Sequence, residues 1–271
     1  MQERAQKTAD ARLAEALTGI AIKASAAILR IDFRQAGTRR KADASPITLA
    51  DEAAQAIIRD ELAHLMPTIP VVSEEAPIEW QGAPPTEFLL VDPLDGTAEF
   101  VAGRLEYTVN IALVRERTPV LGIVAAPALG LIWRGTTNCR AERLRFTPGE
   151  AGALPDVIRT RPWPASERIA AVSRSHFDPA SAAFLDRVAP VRTVESGSAI
   201  KFCRLAEGAA DLYPRLAPTS EWDVAAGHAL VVAAGGAVLA PDGGELSYGG
   251  ASEGFRVPGF IAWGDPSAAR K

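Results

Sequence analysis

Apolar positions recur at helical spacing through the start of the chain. Leu13, Leu17, Ile20, Ala24, Ala27, Ile28 and Ile31 fall on one face and predict an amphipathic helix over residues 8–33. A polar, basic hinge follows at 35–44, with Arg39, Arg40 and Lys41. Ser45-Pro46-Ile47-Thr48 leads into a second helix, 49–65, stopped before Pro67. The pattern then breaks into short apolar runs. Residues 69–72 predict a strand closing in Ser73-Glu74-Glu75, and 88–91 a buried strand stopping at the turn Asp92-Pro93-Leu94-Asp95-Gly96-Thr97. Between them, Pro77, Pro84 and Pro85 mark a loop able to cover a site. Residues 98–106 read as a linker. Runs at 107–114, 120–126, 131–134 and 142–146 have strand composition between turn residues, which predicts an antiparallel meander.

The Pro/Gly-rich stretch 147–164 marks a boundary. It divides an N-terminal α+β lobe, 1–150, from a C-terminal α/β lobe, 151–271. In the second lobe, strands at 169–172, 191–194, 210–213, 237–240 and 259–263 alternate with helices at 179–188, 199–207 and 222–234. Alternation of this kind predicts a parallel or mixed sheet covered on both faces.

Composition narrows the picture. The 271 residues are 48% hydrophobic and 23% charged, with a formal net charge of −4. That balance suits a globular chain and disfavours a nucleic-acid polymer as partner. Cys139 and Cys203 lack metal or redox spacing, so buried free thiols in a reducing compartment are expected. The N-terminal MQERAQKTADAR has no apolar signal core, and no uncharged apolar run reaches the roughly 18 residues of a membrane span. A cytoplasmic location is expected, with peripheral attachment to the inner membrane left open.

The candidate chemistry lies at element ends. Asp92 and Asp95 close one strand, Glu74 and Glu75 another, and Asp223 follows Glu221 at a helix start. Converging carboxylates need a positive charge among them. Mg²⁺, a hard cation, suits oxygen donors; the plain alternatives are turn-capping acids and acids on a helix dipole. Gly96 would admit the backbone, and Thr97 would set a hydroxyl beside the metal. Thr48 and Asp51 fit a capping box in which Asp replaces the usual Glu or Gln; the functional alternative sets Asp51 beside a catalytic hydroxyl. Gly197-Ser198 at a helix start would present N–H groups to an anion. Lys201 is either a phosphate partner or an exposed helix lysine, and Arg215 a phosphate clamp or a surface charge. Ser173-Arg174-Ser175-His176 suits a polar ligand or a solvated loop. His64 and His228 read as structural. No GxSxG, Walker A or dinucleotide motif appears, so metal-activated water leads over a side-chain nucleophile.

With SEE at 73–75, DPLDGT at 92–97, WDVAAGHALVVAAGG at 222–236 and SPITLAD at 45–51, the sequence resembles the lithium-sensitive, Mg²⁺-dependent phosphatase superfamily that includes inositol monophosphatase. DGTAEF at 95–100, EYTVNIALV at 106–114, VSRSH at 172–176 and the long block 197–223 resemble its bacterial 3'(2'),5'-bisphosphate nucleotidases. Ala98 departs from a lysine of that group and Ala217 from a glycine. The resemblance implies a layered αβαβα sandwich with the active site between two lobes. It implies one Mg²⁺ on Glu74, Asp92 and the Leu94 carbonyl, a second on Asp92, Asp95 and Asp223, and a third, weaker ion near Glu74. Asp51 and Thr97 would orient and help deprotonate the attacking water, and the Gly96 and Thr97 N–H groups would bind the departing phosphate. Glu74, Leu94, Asp95 and Asp223 would border the substrate as well. Ser173, His176, Gly197, Ser198, Lys201 and Arg215 would hold the rest of the nucleotide. The implied reaction is hydrolysis of the 3'-phosphate of adenosine 3',5'-bisphosphate to AMP and phosphate, with phosphoadenylyl sulfate as a further substrate. Hydrolysis of an inositol or sugar monophosphate is the alternative. A non-catalytic ligand sensor is a third reading, against which the full acidic set and Thr97 stand.

Overall fold

Helix α1 spans Gln2–Leu29. It starts before the apolar stripe because the preceding Gln, Glu, Arg and Ala residues are good helix formers with no breaker among them. It ends ahead of Asp32, whose carboxylate accepts the Arg34 N–H (3.0 Å) and opens a 3₁₀ turn, Phe33–Gln35. Helix α2, Leu49–Leu65, buries Ala50, Ala54, Ile58 and Leu62 at four-residue spacing in one cluster with Leu17, Ala21 and Ile28 of α1. The computed structural model describes residues 2–40, 46–78, 80, 83–137, 139–147, 154–175 and 177–270. Ser45, His176 and the expected boundary at 150/151 lie outside the described residues.

The first sheet is built from β1 (Val71–Ser73), β2 (Glu87–Asp95), β3 (Thr108–Arg115), β4 (Thr118–Ala126), β5 (Leu131–Thr136), β6 (Ala141–Arg145) and β7 (Asp156–Ile158), hydrogen-bonded in that order. β1 runs parallel to β2; the remaining pairs form the expected antiparallel meander. Leu89 and Val91 of β2, with Val109, Ile111 and Leu113 of β3, pack under α1 and α2. Their neighbours Phe88, Leu90, Ala112 and Val114 belong to the cluster on the opposite face. Burial on both faces is why this strand reads as an unbroken apolar run rather than an alternation.

The second sheet has the order β9-β8-β10-β12-β11, built from β8 (Arg168–Ser173), β9 (Val191–Ser196), β10 (Leu212–Arg215), β11 (Ala237–Leu239) and β12 (Phe260–Trp263). β8 is parallel to both neighbours and β12 antiparallel to both of its own, so the sheet is mixed. Helices α5 (Ile200–Ala206) and α6 (Glu221–Ala233) lie between the sheets. Helix α4 (Pro179–Val188) covers the outer face, where Leu185 meets Ala170, Val172, Leu212 and Ile261. The layers are therefore αβαβα. A helix between two sheets must be apolar all round, and α6 is buried continuously from Val224 to Val231.

The contact between α6 and the first sheet is made through main chain. A Cβ placed on Gly122 of β4 would stand 2.1 Å from the Ala226 carbonyl oxygen, and one on Gly135 of β5 2.7 Å from Leu230 Cα. Glycine at both positions lets helix and sheet approach where no side chain fits.

Three local expectations change. β2 does not stop at Asp92 but continues to Asp95, and the expected linker holds a short helix, α3, at Thr97–Val101. Cys139 is exposed rather than buried, since it sits in the β5–β6 connection; Cys203 is buried as expected. His64 and His228 are held locally: His64 Nδ1 lies 2.6 Å from the Asp60 carbonyl, and His228 Nδ1 2.8 Å from the Tyr248 hydroxyl. Among the described residues no helix is long and apolar enough to cross a membrane.

Candidate active site

Asp92 and Asp95 are three residues apart, and on a regular strand they would point to opposite faces. The register shows how the chain avoids this. Asp92 pairs with Asn110 and Asp95 with Thr108, so three steps on β2 match two on β3. The extra residue is a β-bulge at Pro93-Leu94, where proline's missing N–H removes nothing that the ladder needs. Both acids therefore share the face of Phe88 and Leu90, turned toward α5 and α6. Asp92 is 1% exposed, and its Oδ1 accepts the Leu94 N–H (3.0 Å). Asp95 Oδ2 accepts from the Ser198 hydroxyl (2.6 Å) and from Asn110 Nδ2 (3.4 Å).

Gly96 follows at φ +88°, a left-handed turn open to glycine, and starts α3. Thr97 thereby aims its hydroxyl at the beginning of α2. Its Oγ1 lies 2.9 Å from Asp51 Oδ1 and 3.1 Å from the Leu94 carbonyl. The other Asp51 oxygen accepts from the Thr48 N–H (2.8 Å) and hydroxyl (2.6 Å). The capping box and the expected contact with the Thr97 hydroxyl are therefore both present, one on each oxygen of a 2% exposed carboxylate. The start of α6 repeats the device. Asp223 Oδ2 accepts the Ser220 N–H (3.2 Å) and the Thr219 hydroxyl.

Glu74, Asp92, Leu94, Asp95, Gly96, Thr97, Ser173, Gly197, Ser198, Lys201, Arg215 and Asp223 all line one cavity of about 490 Å³. Asp51 stands behind Thr97. Two expectations are corrected at the α5 side. The Gly197 N–H is not left for a bound anion, since it donates to the Glu106 carboxylate at Oε2 (3.0 Å). Lys201 is not an exposed helix lysine: it is 3% exposed, and its Nζ donates to the carbonyls of Ser196 and Ser198. Burial lowers its pKa to about 8. Arg215 enters the cavity from β10 beside Tyr213, with its Nε buried and without a hydrogen-bond partner among the described residues.

Sequence reasoning missed a polar frame around this cavity. Glu99, on α3, is 4% exposed and accepts from the Ser175 hydroxyl (2.6 Å) and Arg104 Nη1 (2.8 Å). Glu106 receives Arg174, Arg204 Nη2 (3.4 Å) and the Gly197 N–H. Thr108 donates to Asn110 Oδ1 (2.9 Å), which orients the amide facing Asp95. Ser175, Gly197 and Arg204 lie 76 to 98 residues from the glutamates they meet, so no local spacing marks those pairs.

Electrostatics set the cavity apart from an ordinary polar cleft. Burial, then the negative charges of Glu74, Asp95, Asp223 and Asp51, hold the Asp92 carboxyl well above the usual carboxylate range. Burial and Asp95 push Asp223 up to about 7, against the Thr219 hydrogen bond and the Arg215 charge. Burial raises Asp51 despite its hydrogen bonds from Thr48 and Thr97. Among the described residues no three His, Cys, Asp or Glu side chains already meet in a metal-holding cluster. The donor set still fits a hard divalent cation: every group is an oxygen, and a positive charge among these acids would relieve the repulsion that raises Asp92.

The model of the inositol monophosphatase family matches residues 9–259. The 3'(2'),5'-bisphosphate nucleotidase CysQ of Salmonella typhimurium is 42% identical over 223 residues, 82% of this chain and 86% of the relative. The crystal structure of CysQ from Bacteroides thetaiotaomicron superposes with a TM-score of 0.76 at 34% identity, covering 93% of this chain and 97% of that one. An inositol monophosphatase from Zymomonas mobilis superposes with a TM-score of 0.72 at 26% identity, covering 95% and 97%. A bulged strand that gathers two acids, two helix starts that add a third and a fourth, and a family model spanning nearly the whole chain agree: the chain belongs to the inositol monophosphatase family.

Proposed function

We propose that the chain is a Mg²⁺-dependent phosphatase that hydrolyses the 3'-phosphate of adenosine 3',5'-bisphosphate to AMP and phosphate, and acts on phosphoadenylyl sulfate in the same way. The observation that carries this reading is the Thr97–Asp51 hydrogen bond at the edge of a cavity lined by Glu74, Asp92, Asp95 and Asp223. Identity to the bisphosphate nucleotidases supports the substrate. Mg²⁺, held by Glu74, Asp92, Asp95, Asp223 and the Leu94 carbonyl, would supply Lewis-acid stabilisation of the attacking and leaving oxygens.

The chain's own groups handle the proton. Thr97 Oγ1 accepts a proton from the attacking water as its own hydroxyl proton passes to Asp51 Oδ1. Burial raises the affinity of that carboxylate for a proton, which suits it to the task. The water oxygen bonds to phosphorus, the P–O3' bond breaks, and the ribose oxygen is protonated from solvent. The N–H groups of Gly96 and Thr97, at the cavity wall, would bind the departing phosphate, since the first N–H groups of a helix have no partner within it. Arg215 is the better anchor for the retained 5'-phosphate, since Lys201 already serves two carbonyls. Ser173, Gly197 and Ser198 border the sugar. The chain divides functionally into an N-terminal part, 1–150, with most of the acids and a C-terminal part, 151–271, with the substrate elements and Asp223. We place the reaction in the cytoplasm.

Two outcomes test this. Phosphate release from a panel of esters, with and without Mg²⁺ and Li⁺, should favour adenosine 3',5'-bisphosphate over inositol 1-phosphate by about a hundredfold in kcat/KM, or ~2.7 kcal/mol. It should require Mg²⁺ and fall with Li⁺; preference for the inositol ester would overturn the substrate. Thr97→Ala should lower kcat about a hundredfold, within the range of general-base catalysis, with little change in the Mg²⁺ concentration for half-activation. The opposite pattern would remove Thr97 from water activation.

A further inference from the structure

A second cavity, about 550 Å³, lies on the outer face of the five-stranded sheet and shares no lining residue with the first. The alternation of β12 separates the two. Phe260 lines the active-site cavity, and its neighbour Ile261 and then Trp263 line the outer one. The ends of β8 divide in the same way, with Ser173 at the first cavity and Arg168 at the second.

The outer cavity is aromatic at its base. Trp263 meets Trp163 with ring centroids 5.6 Å apart and Phe184 at 6.0 Å. Two guanidinium groups lie over these rings: Arg168 Cζ is 5.5 Å from the Trp163 centroid and Arg187 Cζ 5.6 Å from that of Phe184. Arg168 Nε is buried and has no hydrogen-bond partner among the described residues. Neither guanidinium has a carboxylate within ion-pair distance among the described residues. The acid lining this cavity, Asp242, accepts the Gly244 N–H through Oδ1 (2.9 Å). Two arginines lining the cavity without a paired carboxylate among the described residues leave positive charge there that an anion would offset.

We propose that this cavity binds a small planar aromatic ring carrying an anionic group. The ring packs against the aromatic base, where Trp163 and Trp263 are inclined at 50° to each other, and the anion takes the donors of Arg168 and Arg187. Aromatic faces give a flat, sequence-independent platform, and guanidinium suits carboxylate and phosphate alike. A nucleoside monophosphate and an aromatic carboxylate share this chemistry. The site opens away from the active-site carboxylates, so the occupant need not be a substrate.

Calorimetric titration of the Mg²⁺-loaded chain tests it, with adenosine 5'-monophosphate, indole-3-acetate, adenosine and inorganic phosphate as separate probes. At least one aromatic anion should bind at a site that survives Arg215→Ala in the first cavity. Arg168→Ala and Arg187→Ala should each weaken that binding about tenfold, or ~1.4 kcal/mol, leaving the rate of phosphate-ester hydrolysis unchanged. Tryptophan emission should change on binding in parallel. A response to adenosine 5'-monophosphate alone identifies a nucleotide site, and one to indole-3-acetate alone a carboxylate site. Binding of phosphate or adenosine as tight as that of the aromatic anions would overturn the proposal, as would affinities unmoved by either arginine variant. Arg187→Glu, at an exposed position, reverses the charge without disturbing the core and should abolish binding. Retained binding in that variant also overturns the proposal. None of these results depends on the reaction assigned to the first cavity.

Discussion

Asp95→Asn is expected to lower kcat by about three orders of magnitude, or ~4 kcal/mol of transition-state stabilisation, with the fold intact. The substitution is nearly isosteric, and its carbonyl oxygen can still accept the Ser198 hydroxyl that Asp95 accepts at 2.6 Å. What is lost is one negative charge of the proposed metal set. Removing it also relieves Asp92, whose carboxyl is held protonated more readily by burial and by Glu74, Asp95 and Asp223. Thermal stability without metal should therefore hold or rise while turnover collapses. Steady-state kinetics at saturating Mg²⁺, paired with a thermal melt in chelator, read both effects. Near-wild-type turnover would remove Asp95 from the proposed metal set.

Gly122→Val is expected to destabilise the fold by about 3 kcal/mol or more, at the upper end of overpacking effects. The added Cβ would stand 2.1 Å from the Ala226 carbonyl oxygen and 2.9 Å from Ala226 Cα. These are backbone atoms in the middle of α6, so no rotamer change makes room. Helix and sheet must separate, and α6 carries Asp223 at its first turn. Turnover should fall together with the melting temperature, which drops by roughly 6–12 °C for a chain of this size. Circular dichroism melting and kcat measured on the same preparation check this. A melting temperature within about 1 °C of the parent would show that the layers can shift without penalty.

Most of the architecture was visible in the chain because burial leaves a periodic trace. The apolar spacing of α2 marked its bounds, and the two-sided burial of β2 and β3 produced unmistakable apolar runs. The bulge was not visible, because Asp-Pro and Asp-Gly are also the commonest signs that a strand has ended. Helix α3 was missed for a related reason: five residues are too few to show a helical period. At the site, the acids at element ends could be named from position alone. The state of Lys201 could not, since the same residue is favourable on a wet helix face and tolerable in a core with carbonyls to receive it. Glu99 and Glu106 carried no local signal. Ser175 and Gly197, which they hold, lie 76 and 91 residues away and are brought near only by the stacking of layers.

The two helix starts at the cavity explain a departure from the common capping pattern. A box of this kind usually ends in Glu or Gln, yet α2 and α6 both use Asp, at Asp51 and Asp223. Capping strength alone gives no reason for the shorter acid. Reach does: Asp51 spends one oxygen on Thr48 and keeps the other 2.9 Å from Thr97, a span that one more methylene would overrun. The same carboxylate thus begins a helix and sets the position of the Thr97 hydroxyl. A different capping residue could restore the helix without restoring the contact with Thr97, so the letter at Asp51 records the cavity's dimensions rather than the helix's needs.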